Sequence, residues 1–218
     1  METGWIHTHT DIDAYDTQGD PIRLEKVPAL KNPKTGKICV DALDVAKAEL
    51  ELITKNNGLE PRDLSLLLML YAQPGPFKKG EVYCKYNLNK MLFYQWKNME
   101  KKYHLGEAFP HDDFRPAGKG PIPMNLWDDL KRLRETDLVD LSWYQWGEHK
   151  KEASLTTKLT KKGQELIESL WKKIPDELKK TTLQTKEDIF PLDPKTVMTK
   201  VHKEYPEYAS AYVEEDTE

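Results

Sequence analysis

Residue types able to do chemistry are thinly spread in this chain of 218 residues. The one run with a suggestive spacing is His7-Thr8-His9-Thr10-Asp11-Ile12-Asp13. His7, His9, Asp11 and Asp13 alternate as four potential metal ligands, and in an extended strand all four project from one side. A working centre also needs its ligands held rigidly by a second layer of contacts. The surrounding Asp, Thr, Pro and Gly supply none, so the run reads as a polar tail and no metal site is assigned. His104, His111, Asp112, Asp113 and His149 could converge, but residue type alone is the ground for saying so. A Gly-rich phosphate loop, an HExxH helix, a Gly-x-Ser-x-Gly elbow and a marked carboxylate pair are all missing. The expectation is a protein that is not an enzyme, with no cofactor and no small-molecule substrate. Cys39 and Cys84 lack CxxC spacing and read as packed free thiols, not as zinc ligands or a disulfide.

Recognition chemistry is better represented. Trp143, Tyr144 and Trp146 fall in a run that alternates like a strand, where neighbours face opposite sides, so at least one large aromatic points outward. Exposed aromatics are typical anchors for a protein partner. A second set suits DNA: Lys131, Arg132 and Arg134 on one helix could enter the major groove while His149, Lys150 and Lys151 touch the backbone from a loop. Two features oppose it. The 33 basic and 37 acidic residues leave a net charge of −4, and Asp128, Asp129 and Glu135 share that helix, working against counterion release. A protein partner is therefore favoured over DNA, with a DNA-binding regulator as the alternative.

These residues must be positioned by the stretch from Lys119 to Ile174. Ile122, Leu126, Leu130, Leu133 and Leu138 recur at helical spacing after Gly120 and Pro121, which predicts a helix from Pro121 to Thr136. Its outer face offers Asp128–Arg132 and Lys131–Glu135 pairs four residues apart. Val139, Leu141 and Trp143 then alternate with Asp140, Ser142 and Tyr144, a half-buried strand. Residues Glu148 to Glu152 form a polar loop and the Thr-rich run Leu155 to Leu159 returns as the antiparallel partner. Thr160 caps a further helix reaching Ile174. This is a winged helix-turn-helix core, and the expected fold is mainly α with a small β-hairpin and additional N- and C-terminal helices. Helices are expected from Asp41 to a stop at Asn56-Asn57-Gly58, from Pro61 to Tyr71 (apolar nearly all round, hence central), from Asn87 to Tyr103, from Asp176 to Asp188 and from Pro194 to Glu204. A short strand is expected at Val82 to Tyr86. The chain divides into a loosely ordered N-terminal arm (1–37), one helical winged-helix domain (38–208) and an acidic tail (209–218).

The segments LNKMLFYQW (Leu88 to Trp96), Gly120-Pro121-Ile122 and LTKKGQEL (Leu159 to Leu166), in that order, resemble the Panacea-like (SocA-like antitoxin) family and related archaeal and bacterial winged-helix proteins. VHKEYPEY (Val201 to Tyr208) is similar to their closing helix. The resemblance implies a non-enzymatic binding protein and brings no catalytic residues. The faces carrying Val197, Val201 and Tyr205 must be buried against something, which makes a homodimer through the terminal helices plausible. The longest apolar run, Leu64 to Tyr71, is too short to span a bilayer, and no basic-then-apolar leader opens the sequence, so a cytoplasmic protein without membrane partners is expected.

Overall fold

The computed structural model describes residues 5–15, 19–72, 81–82, 85–103, 114–146 and 152–209. Its centre is the helix α2 (Pro61–Tyr71), in which every residue from Asp63 to Tyr71 is buried. Pro61 opens the helix where a missing N–H is harmless. Asp63 closes a capping box by accepting the Glu60 backbone N–H at 2.9 Å. Around α2 pack α1 (Ala42–Asn56), α3 (Lys85–Tyr103), α4 (Leu126–Glu135), α5 (Lys161–Trp171) and α6 (Asp176–Ile189), and α7 (Pro194–Glu204) lies against α3. The helix starts follow from local chemistry: Asp41, Thr160 and Asp193 each accept backbone N–H groups of the first turn.

The expectation of a mainly α protein with one small hairpin is corrected, because three antiparallel sheets accompany the seven helices among the described residues. The protein is mixed α/β. In the first sheet β1 (Ile6–Tyr15) pairs with β2 (Pro21–Lys31), which takes β3 (Ile38–Cys39) on its other edge. The second has the order β4 (Glu81–Val82), β8 (Glu152–Leu159), β7 (Val139–Trp146). The third joins β5 (Phe114–Arg115) to β6 (Ile122–Pro123). The strand expected at 82–86 is shortened to β4, and α3 begins at Lys85.

The first sheet occupies the region expected to be a loosely ordered arm. Its strands are hard to recognise because His, Thr and Asp fill positions where an apolar alternation would announce a strand. Only Leu24, Val27 and Ala29 of β2 are buried, and β2 lies against α1. The register slips between Thr10↔Val27 and Ile12↔Leu24, so Glu25 and Lys26 together oppose Asp11. This is a β-bulge on β2, with Lys26 at φ 55 in the left-handed region. Asp11 pins it by accepting the Lys26 N–H at 3.1 Å and the Arg23 guanidinium at 2.9 Å. Those two bonds, the backbone one first, hold the Asp11 carboxyl below its ordinary range. Cys39 corrects the packed-thiol reading, since it is exposed on the short edge strand β3. Cys84 lies outside the described residues.

The helices are tied by polar groups that the burial pattern hides. The Ser65 hydroxyl donates to Gln95 Oε1 at 2.8 Å, and Gln95 Nε2 donates to the Thr182 hydroxyl at 2.6 Å. That hydroxyl in turn donates to the Leu178 carbonyl, so one satisfied chain links α2, α3 and α6. Two lysines are wholly buried. Lys90 Nζ donates to the Pro121 carbonyl at 2.6 Å, and Lys186 Nζ to the Leu70 carbonyl at 2.9 Å. Desolvation holds each ammonium down to about 7.

An unfolded lysine titrates near 10.4, so between about 7 and 10 the unfolded chain binds more protons than the native one. Stability therefore rises with pH across that window, and below it the desolvation penalty is fully present. Each lysine contributes a slope of up to about 1.4 kcal/mol per pH unit. Urea midpoints at pH 7, 8 and 9 are expected to increase, and Lys186→Met to raise the pH 7 midpoint while removing about half of the slope. A midpoint that falls from pH 7 to 9 would contradict this assignment.

Candidate functional site

The recognition residues named from the sequence fall on α4, β7 and the segment joining β7 to β8. Helix α4 begins at Leu126, five residues after the expected Pro121, because Ile122 precedes a proline and is pushed into extended backbone, where it pairs as β6. Leu126, Leu130 and Leu133 face the core. Asp128, Lys131, Arg134 and Glu135 are exposed.

Arg132 does not belong to that outer set. Its guanidinium grips Asp63 through two bonds, Nη2 to Oδ1 at 2.7 Å and Nε to Oδ2 at 3.3 Å, and reaches Asp129 at 2.9 Å. Arg62 meets the same Asp129 oxygen at 3.1 Å. Both carboxylates are 2% exposed, and the bond that Arg132 donates to Asp63, ahead of the Asp63 charge, raises the guanidinium above its ordinary range. The local Asp128–Arg132 pair expected from spacing is thus replaced by a tertiary clasp between α4 and the start of α2.

The C-terminus of α4 is closed by backbone geometry. Leu138 N–H donates to the Leu133 carbonyl at 2.8 Å and Asp137 N–H to the Arg134 carbonyl at 3.0 Å, with Asp137 at φ 59. This is the Schellman pattern, with Asp in the position usually held by glycine. The same corner receives α5: the Thr160 hydroxyl donates to the Asp137 carbonyl at 2.6 Å and accepts the Gly163 N–H at 3.0 Å. Lys162 Nζ donates to the Thr136 carbonyl at 2.8 Å. At Gly163 the two segments touch so closely that a Cβ would lie 2.9 Å from the Leu138 carbonyl carbon and nearer still to its oxygen.

From this corner β7 leaves in register with β8, Val139 opposite Leu159, Leu141 opposite Thr157 and Trp143 opposite Leu155. These pairs share one face of the ribbon. Along it Val139 is buried, Leu141 is half-buried and Trp143 is 70% exposed. Trp143 has the parity of an inward residue and stands opposite the buried Leu155, yet it is exposed itself. Tyr144 and Trp146 lie on β7, with their side chains outside the described set. His149, Lys150 and Lys151 fall outside the described residues, as do His104, His111, Asp112 and Asp113. Sequence reasoning passed over Trp127 and Met124, each about half exposed at the start of α4. Their parity on a helix expected to begin at Pro121 gave no signal for either.

The strand geometry expected of His7, His9, Asp11 and Asp13 does occur, with all four exposed on β1. They do not converge, and no group of three or more metal-ligating side chains assembles among the described residues. The apolar faces of α7 are covered within the chain: Val197 and Val201 are fully buried, and Tyr205 and Tyr208 stack edge-on against Phe93 of α3 at 5.1 and 4.8 Å between ring centres. That removes the reason for a dimer through the terminal helices. Three of the segments that resemble the Panacea-like family, those with Lys90, Gly120 and Val201, meet here, since a Cβ on Gly120 (φ 80) would sit 3.2 Å from Val201 and 3.5 Å from Lys90. No described helix is long and apolar enough to cross a membrane. No family model, curated protein or solved structure matches the chain.

Proposed function

We propose that this chain is a non-enzymatic regulatory binding protein, antitoxin-like or adaptor-like, that engages a protein partner through the β7–β8 hairpin with Trp143 as its anchor. The observation that carries this reading is the 70% exposure of Trp143 on a fully paired strand. Burying such a side chain in a partner's pocket releases a large apolar area from water, the usual source of an interface hot spot. Tyr144 and Trp146 follow on the same strand and belong to the same proposal as partner-binding residues. The likeness of the Lys90, Gly120-Pro121 and Gly163 segments to the Panacea-like family, with a cytoplasmic setting, belongs to the same proposal.

The DNA reading draws on exposed Lys131 and Arg134 and on a groove of about 430 Å³ lined by Arg134, Lys158 and Lys161. Asp137 and Asp140 line that groove as well, and Arg132 is engaged by two buried carboxylates. Fluorescence anisotropy with a mixed-sequence duplex across a salt series separates the readings. The expected result is no binding at physiological salt. Tight binding that weakens steeply with salt, with a slope flattened by Arg134→Glu, would overturn the protein-partner reading in favour of DNA.

A further inference from the structure

The free edge of β1 carries a self-complementary code. β1 is an outer strand of its sheet, paired with β2 on one side and with no described strand on the other. Natural edge strands are usually blunted by lysine, proline, shortness or a bulge. β1 has ten residues with neither lysine nor proline, and the bulge of this hairpin lies on β2, which leaves β1 regular. Its outward face is the exposed series Trp5, His7, His9, Asp11, Asp13 and Tyr15. Bases occupy one half of that series and acids the other.

We propose that a second copy of this chain docks on that edge, β1 against β1 in antiparallel fashion about a two-fold axis at Thr10. Side chains keep to one face only if paired positions have the same parity, which leaves few registers near the middle of the strand. Centring on His9 or Asp11 sets a residue of like charge opposite itself. Centring on Thr10 sets His9 opposite Asp11, His7 opposite Asp13 and Trp5 opposite Tyr15, each twice by symmetry. Every outward pair is then either base with acid or aromatic with aromatic, the cross-strand combinations that stabilise ribbons. Arg23 bonds Asp11 at 2.9 Å and lies 3.7 Å from Asp13, and the Lys26 N–H holds the other Asp11 oxygen; all three approach from the β2 side of the strand, so the partner imidazoles meet these carboxylates from the open side.

The test is sedimentation equilibrium of the whole chain. Three forms are compared: wild type, His7→Asp, and the exchange His7→Asp with Asp13→His. Both positions are exposed, and circular dichroism confirms that each variant is folded. Dimerisation of the wild type is expected, with a dissociation constant raised about tenfold or more by the single change, which sets like charges opposite each other twice. The exchange restores the pairing and is expected to return the constant to near its original value. A monomeric wild type, a dimer indifferent to His7→Asp, or a loss that the exchange does not recover would each overturn the proposal.

Discussion

Replacing Gly163 by alanine is expected to destabilise the protein by about 3 kcal/mol, the upper end of the range for forcing an atom into a packed site. In a chain of this size that lowers the melting temperature by about 6–12 °C. The sign is what makes the experiment informative. Gly163 is a helical residue of α5, and alanine is the better helix former by about 1 kcal/mol, so in open surroundings the change would stabilise. Here the added methyl would meet the Leu138 backbone, which cannot rotate away as a flexible side chain could. Leu138 closes the Schellman turn of α4 and donates to Leu133, and its carbonyl accepts the Thr160 N–H at 3.2 Å. Displacing it disturbs the end of α4, the start of β7 and the cap of α5 together. Thermal melts of the two proteins decide the matter, and an unchanged or raised melting temperature would contradict the close approach.

Arg132→Ala is expected to cost about 3 kcal/mol, near the lower bound for breaking a buried pair because the guanidinium itself is partly open to solvent. Most of that cost comes from what remains. Asp63 and Asp129 are both nearly inaccessible, and Asp63 loses its two-pronged partner, while Arg62 still reaches Asp129. Arg132→Lys recovers only part of the loss, since a single ammonium cannot reproduce the two parallel bonds. Urea unfolding of the three proteins measures this. A neutral Arg132→Ala would show that the clasp holds nothing and would return Arg132 to the candidates for phosphate contact.

The same residue shows where sequence reading reaches its limit. The spacing Asp128–Arg132 proposes a local pair, but the side chain turns toward Asp63, distant in sequence, and no periodicity encodes a tertiary partner. Elements whose ends are written in local chemistry were legible: Asp41, Glu60-Pro61, Thr160 and Asp193-Pro194 mark starts that the structure keeps. The hairpin was also legible, because Val139, Leu141 and Trp143 alternate. The N-terminal sheet was not, since polar residues fill both faces of β1 and its pairing depends on a bulge pinned by Asp11, a residue that spacing alone presents as a metal ligand. Of the candidate site, the strand and its aromatic run were readable. The exposure of Trp143 was not, because parity says which face a residue shares but not how much of its side chain is covered there.

Anchoring of a protein partner by Trp143 can be checked by quantitative affinity capture with immobilised wild-type chain and Trp143→Ala from the lysate of its own source. The change at this exposed position is expected to leave the melting temperature within about 1–2 °C, so folding does not confound the comparison. A protein retained in stoichiometric amount by the wild type, and reduced about tenfold or more by Trp143→Ala as for a hot-spot residue, is the expected result. Equal retention by both forms, or retention of nucleic acid alone, would contradict it.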